Sequence, residues 1–87
     1  MAAPRVNPQV VSTPLPSGEV VLLHLGSKAT FTLNETAACI WRLLSEGQDL
    51  TSVARLLTSE FTVDAEGASR AVEALVQELT AADLISG

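Results

Sequence analysis

The sequence predicts an α+β domain: a three-stranded antiparallel sheet followed by three helices that pack on it as one layer. Three observations predict it. Strand-like segments, β-branched or alternating in polarity, are confined to the chain before Asn34, and every segment after it repeats with helical period. Runs of strands followed by runs of helices imply segregated layers rather than βαβ units. Finally, 87 residues that are 47% hydrophobic and only 3% aromatic make a single domain with an aliphatic core.

Taken in order, Met1 to Pro8 holds two prolines and one charge and is expected to be a flexible lead-in, residues 1–8, to a domain spanning 9–87. Gln9 to Thr13 reads as a short strand. Pro14 and Pro16 end it, because neither can donate to a ladder, and Ser17-Gly18 supplies a turn. Glu19 to Leu25 is the strongest strand. Val20, Leu22 and His24 share one face, and Val21, Leu23 and Leu25 the other; two apolar faces suit a central strand. Gly26-Ser27 reads as a tight hairpin turn. Lys28 to Leu33 then alternates, with Ala29, Phe31 and Leu33 inward and Lys28, Thr30 and Thr32 toward water.

The helical half begins at Asn34, an N-cap followed by Glu35 in the first turn. Ala37, Ile40, Trp41 and Leu44 recur at i, i+3, i+4 and i+7, and Gly47 is the expected left-handed stop. Trp41, the largest side chain available, is expected at the centre of the core. A second helix is expected from Thr51 as cap, through Val53, Ala54, Leu56 and Leu57, to Phe61. At roughly nine residues it needs tertiary support. Asp64 caps the third helix, with Glu66 in its first turn. Val72, Leu75, Val76 and Leu79 form its core stripe, Ala68, Ala71 and Ala74 a shallower surface, and Leu84 its last apolar position. The second and third helices, broken at Thr62-Val63, read as a helix-turn-helix pair, so the architecture is winged-helix-like.

Charge and residue usage exclude several function classes. Ten acids against five bases leave a net charge of −5. Arg5, Lys28, Arg42, Arg55 and Arg70 are spread singly, so no basic face is expected and no nucleic-acid partner. No run approaches the ~20 apolar residues of a membrane span, and Met1 to Gln9 has no apolar h-region; a cytoplasmic protein with no membrane partner is expected. One cysteine, Cys39, and one histidine, His24, allow neither an internal disulfide nor a metal-ligand spacing. No glycine-rich phosphate loop and no serine–histidine nucleophile pattern occurs. Asp64 and Glu66 are explained as helix-start acids. No catalytic residue, metal or cofactor is therefore expected, and binding is the default activity.

The candidate binding surface is a sheet edge. An edge strand presents a row of unpaired N–H and C=O groups, and proteins that do not use such an edge usually blunt it. Lys28 to Leu33 has no proline, and its one charge is at its end. An extended peptide could join it as a further strand. Each main-chain bond adds only about 0.5–1.5 kcal/mol net, so apolar anchors are also needed; a groove floored by Val72, Leu75 and Val76 could hold them. The same edge could instead be covered by the N-terminal segment or by a second subunit, and the residues alone leave these uses open.

The order Phe31-Thr32-Leu33-Asn34, then Ala37, Ile40-Trp41, Leu44 and Gly47, then Val53 to Leu57, then Val72, Leu75 and Leu79 before Asp83-Leu84-Ile85, covers about residues 19–85. It resembles the PqqD-like proteins, the recognition elements of pathways that make ribosomally synthesised, post-translationally modified peptides (RiPPs). The Ile40-Trp41 pair and the chain length are most similar to the standalone recognition proteins of lasso-peptide biosynthesis. The resemblance implies a non-catalytic protein that binds the leader of a precursor peptide by strand addition and presents it to a maturation enzyme. In lasso-type pathways that enzyme is a leader peptidase, and in PqqD proper a radical S-adenosylmethionine enzyme. Carried over by position, Lys28, Ala29, Thr30, Phe31 and Thr32 would supply backbone pairing. Val72, Leu75, Val76 and Leu79 would line the groove, with Arg70 and Glu73 as rim charges. The rival readings are a winged-helix DNA-binding or regulatory module and a structural adaptor or homodimer.

Overall fold

Three strands and three helices follow one another in the expected order, with a short strand added at each end. The computed structural model describes residues 5–86. The elements are β1 (Arg5–Val6), β2 (Val10–Pro14), β3 (Val20–His24), β4 (Thr30–Leu33), α1 (Glu35–Ser45), α2 (Leu50–Glu60), α3 (Ala65–Ala81) and β5 (Ile85–Ser86).

Period-two alternation builds the main sheet. It is antiparallel in the order β2-β3-β4, with Val11 opposite Leu23 and Leu22 opposite Phe31. Leu22, Leu33 and His24 are buried against the helices, whereas Thr30 and Thr32 face water. The β3–β4 turn is longer than the two residues expected. Lys28 N–H donates to the His24 carbonyl at 2.7 Å, and Lys28 itself takes the left-handed conformation at φ 63°. The cause is His24, whose ring Nδ1 accepts from both Gly26 and Ser27 N–H and holds the turn wide.

α1 runs through the middle of the molecule. Ile40, Trp41 and Leu44 are buried, as are Ala38, Cys39 and Leu43. Asn34 caps it through Ala37 N–H at 2.8 Å, and Gly47 ends it at φ 89°. Gln48 N–H reaches back to Leu43 and Gly47 N–H to Leu44, the paired bonds of a Schellman stop.

α2 departs from expectation at its start. Asp49, not Thr51, is the cap, accepting from Ser52 N–H at 2.8 Å. An ionised carboxylate is a stronger acceptor than a hydroxyl, and starting at Leu50 adds a residue that packs against the core. α2 lies on the N-terminal half of α3, where Val53, Leu57, Ala68 and Val72 are all buried to 1% exposure or less. Asp64 caps α3 through Gly67 N–H, and a Cβ at Gly67 would stand 2.9 Å from that carboxylate.

Leu84 is not on α3. The helix stops at Ala81, and Asp83 turns left-handed at φ 62°. Asp83 N–H bonds Thr80, and Leu84 N–H bonds Leu79, a second Schellman stop. The chain then pairs as β5 with β1, Val6 opposite Ile85. The expected lead-in is thus structured from Arg5 onward: Asn7 N–H donates to the Leu84 carbonyl, and its side chain to the Asp83 carbonyl at 2.8 Å. Residues 1–4 of that lead-in lie outside the described residues.

Candidate functional site

Hydrogen-bond parity decides which backbone groups the sheet leaves over. In an antiparallel pair, residues alternate between those that bond the partner and those that point away. His24 N–H donates to the Ala29 carbonyl at 2.9 Å, and the β3–β4 register keeps the same offset throughout. Ala29, Phe31 and Leu33 therefore turn their backbone toward β3. Thr30 and Thr32 turn both N–H and C=O outward, to an edge that no described strand covers.

At the other edge, Leu25 N–H bonds Gln9 and Leu15 N–H bonds Glu19. That parity leaves Val10, Ser12 and Pro14 pointing outward from β2. Val10 N–H is already used by the Asn7 carbonyl, and Pro14 has none. Among the described residues Ser12 alone keeps a free outward donor on that side.

Between β4 and the C-terminal half of α3 runs a cleft of ≈ 660 Å³. Thr30, Phe31, Thr32 and Leu33 form one wall, and Leu75, Glu78, Leu79, Ala81, Ala82 and Leu84 the other wall and floor. Five of the residues expected from sequence meet here: Thr30, Phe31, Thr32, Leu75 and Leu79. Six do not. Lys28 and Ala29 are in the turn, their backbone bonded to His24. Val72 is 1% exposed, in the core under α2. Val76 is half-buried off the cleft, Glu73 is exposed on another face, and Arg70 pairs with Glu66 one turn back.

The reason is where α2 sits. It covers the first half of α3, so β4 meets the second half. The positions missed by sequence reasoning, Glu78 and Ala82, continue the Leu75–Leu79 face at i+3 and i+7. Extending that face toward the C-terminus would have found them.

The far end of the cleft is held by His24. Because its Nδ1 accepts two backbone N–H groups, at 3.1 and 3.2 Å, the ring proton is assigned to Nε2, which donates to Asp83 Oδ2 at 3.2 Å. One buried imidazole thus ties the β3–β4 turn to the turn that carries Leu84. Its role is structural.

A second cleft, of ≈ 680 Å³, lies beside β2. Ser12 and Pro14 are too small to fill the inner face there and leave Trp41 and Phe61 lining open space. At its rim Arg42 and Glu60 pair at 3.4 Å. Cys39 Sγ donates to Glu60 Oε2 at 3.2 Å. Burial, and then that bond to Glu60, push the thiol pKa up against the opposing pull of Arg42. A thiol kept protonated is a poor nucleophile.

Among the described residues no three of His, Cys, Asp or Glu come together as a metal site, and no helix is long and apolar enough to cross a membrane.

Comparison with known proteins agrees with this architecture. A structure described as "TbiB1 in Complex with the TbiA(beta) Leader Peptide" is similar with a TM-score of 0.89 and 30% identity, covering 95% of each chain. One described as "Lasso peptide synthetase B1 complexed with the leader peptide" has a TM-score of 0.88 and 34% identity, covering 99% of this chain and 100% of that one. No curated protein matches the sequence. The family model of coenzyme PQQ synthesis protein D (PqqD) matches residues 19–85, most of the sheet and all three helices, and the chain belongs to the PqqD family.

Proposed function

We propose that this protein captures the leader segment of a ribosomal precursor peptide as an added strand on β4 and presents it to a maturation enzyme, without catalysing a step itself. The observation that carries the reading is the open edge of β4: Thr30 and Thr32 offer two outward donors and two outward acceptors directly beside an apolar cleft. Strand addition uses such an edge for affinity and the adjoining pockets for specificity. Two related chains that superpose over nearly their whole length are bound to leader peptides. The kinship with lasso peptide synthetase B1 favours a leader peptidase as the partner enzyme and a cytoplasmic setting, where a ribosomal product would meet this chain. Recognition of DNA by the helical pair is not favoured. α2 and α3 carry one base each, Arg55 and Arg70, and Arg70 is engaged by Glu66.

The test is fluorescence anisotropy of labelled N-terminal segments of the short reading frames that flank this protein's gene, against the wild type and Thr30→Pro. The substitution removes an outward donor while leaving the β3–β4 ladder bonds in place. Binding by the wild type that the folded variant loses supports the reading. Binding that survives the proline moves the site off this edge, and no binding at all returns the domain to the adaptor class.

A further inference from the structure

The cleft beside β4 is apolar or hydroxyl-bearing except at one position. Among the described residues Glu78 is the only ionisable side chain that lines it, and its carboxylate makes no ion pair or side-chain hydrogen bond with them. Glu60, Glu66 and Asp83, by contrast, are engaged by Arg42, Arg70 and His24. Glu78 stands between Leu75, one turn before it, and Ala82, one turn after, with Leu79 beside it. The small side chains of Ala81 and Ala82 leave room around it.

A second feature adds to the same end. α3 has no basic residue in its last turn. The carbonyls of Glu78, Leu79 and Thr80 accept from Ala82, Leu84 and Asp83, but that of Ala81 accepts from no described backbone N–H. The negative end of the helix macrodipole is therefore uncompensated where the cleft opens.

We propose that Glu78, backed by the C-terminal end of α3, selects among leaders: the strand that adds to β4 carries a lysine or arginine next to the apolar side chain that fills the cleft. The proposal rests on the leader-binding reading. A long cationic side chain suits the place because its methylene stem can lie along Leu75 and Leu79 while its head reaches the carboxylate. An acidic leader residue there would meet an unpaired carboxylate and the negative helix end, which is selection by repulsion as well as by attraction.

The probe is a phage-displayed library of random 20-residue peptides selected on the wild type, on Glu78→Lys and on Glu46→Lys. Glu46 lies at the end of α1, outside both clefts, and its reversal changes the net charge equally. Peptides enriched on the wild type are expected to share a basic residue at fixed spacing from an apolar anchor. On Glu78→Lys that position becomes Asp or Glu; on Glu46→Lys it stays basic. In one selected peptide, changing the basic residue to Glu should weaken wild-type binding about three- to tenfold, and Glu78→Lys should restore it. Loss of the basic preference on both variants would mean that net charge alone attracts the peptide, and overturns the proposal. Peptides that require the β4 edge, judged by Thr30→Pro, yet show no basic position or keep it on Glu78→Lys, overturn the proposal and leave leader capture standing. If no enriched peptide depends on the β4 edge, both fall.

Discussion

The two edges of the sheet flank clefts of nearly equal size, ≈ 680 Å³ beside β2 and ≈ 660 Å³ beside β4. Both have apolar floors. They differ in what the adjoining strand leaves unpaired. β2 has one proline without an N–H and one N–H already bonded to Asn7, and only Ser12 keeps an outward donor. β4 keeps both of its outward donors. The clefts differ at the rim too. Beside β2 the lining carries Arg42, paired with Glu60 next to the Cys39 thiol, as well as Glu35; beside β4 Glu78 has no base on the same lining. Volume alone would choose the β2 side. Unpaired backbone, and a carboxylate with no base on the same lining, choose β4, because both gain interactions only when a partner arrives.

The largest expected effect tests how far the β4 cleft is also the core. Leu79 is 3% exposed and floors the cleft. Leu79→Ala should destabilise the fold by about 2–4 kcal/mol in a urea melt, so truncating the floor cannot by itself report on binding. Next is the clasp at the cleft's end. His24→Ala leaves the Gly26 and Ser27 N–H groups and the Asp83 carboxylate without their partner, and should lower stability by about 2 kcal/mol. A variant as stable as the wild type would remove His24 as the link between the two turns.

The comparison itself is broken or upheld by a pair of prolines. Ser12→Pro and Thr30→Pro each remove one outward N–H, from β2 and β4 respectively. Only Thr30→Pro should weaken leader binding in anisotropy titrations, by about tenfold from one lost bond and its displaced neighbour. Equal losses would erase the distinction between the edges.

The smallest effect serves as the control, at a helix end that neither cleft touches. Asp49 caps α2, and its bonds from Ser52 hold its pKa below the ordinary carboxylate value. A lowered folded pKa means that the cap contributes fully above the ordinary carboxylate range and is lost as pH falls through the lowered value. Asp49→Ala should slightly lower the melting temperature at neutral pH, lose less on acidification than the wild type, and leave leader binding unchanged.

Local signals were legible wherever one residue and its near neighbours decide the outcome. Asn34, Asp64 and Gly47 did what caps and stops do, and the alternation of Lys28 to Leu33 placed the side chains of Thr30 and Thr32 on the face of the sheet that meets water. The cap of α2 was misread because Asp49 and Thr51 are both competent; Leu50 decides between them by packing, which is not local. The turn after β3 was misread because a histidine ring, tied to Asp83 across the fold, widens it.

What the sequence by itself determined is the element order, the inward and outward faces of β3 and β4, and the absence of a run of bases that could grip a phosphate backbone. These follow from chain periodicity and from formal charge, which need no partner element. Only the tertiary structure decided which half of α3 faces β4. All of α3's apolar positions are consistent with either half; α2, by covering Ala68 and Val72, leaves Leu75, Glu78 and Leu79 to the strand. Only the register decided which backbone groups of each edge are free, because a one-residue shift exchanges every inward group for an outward one.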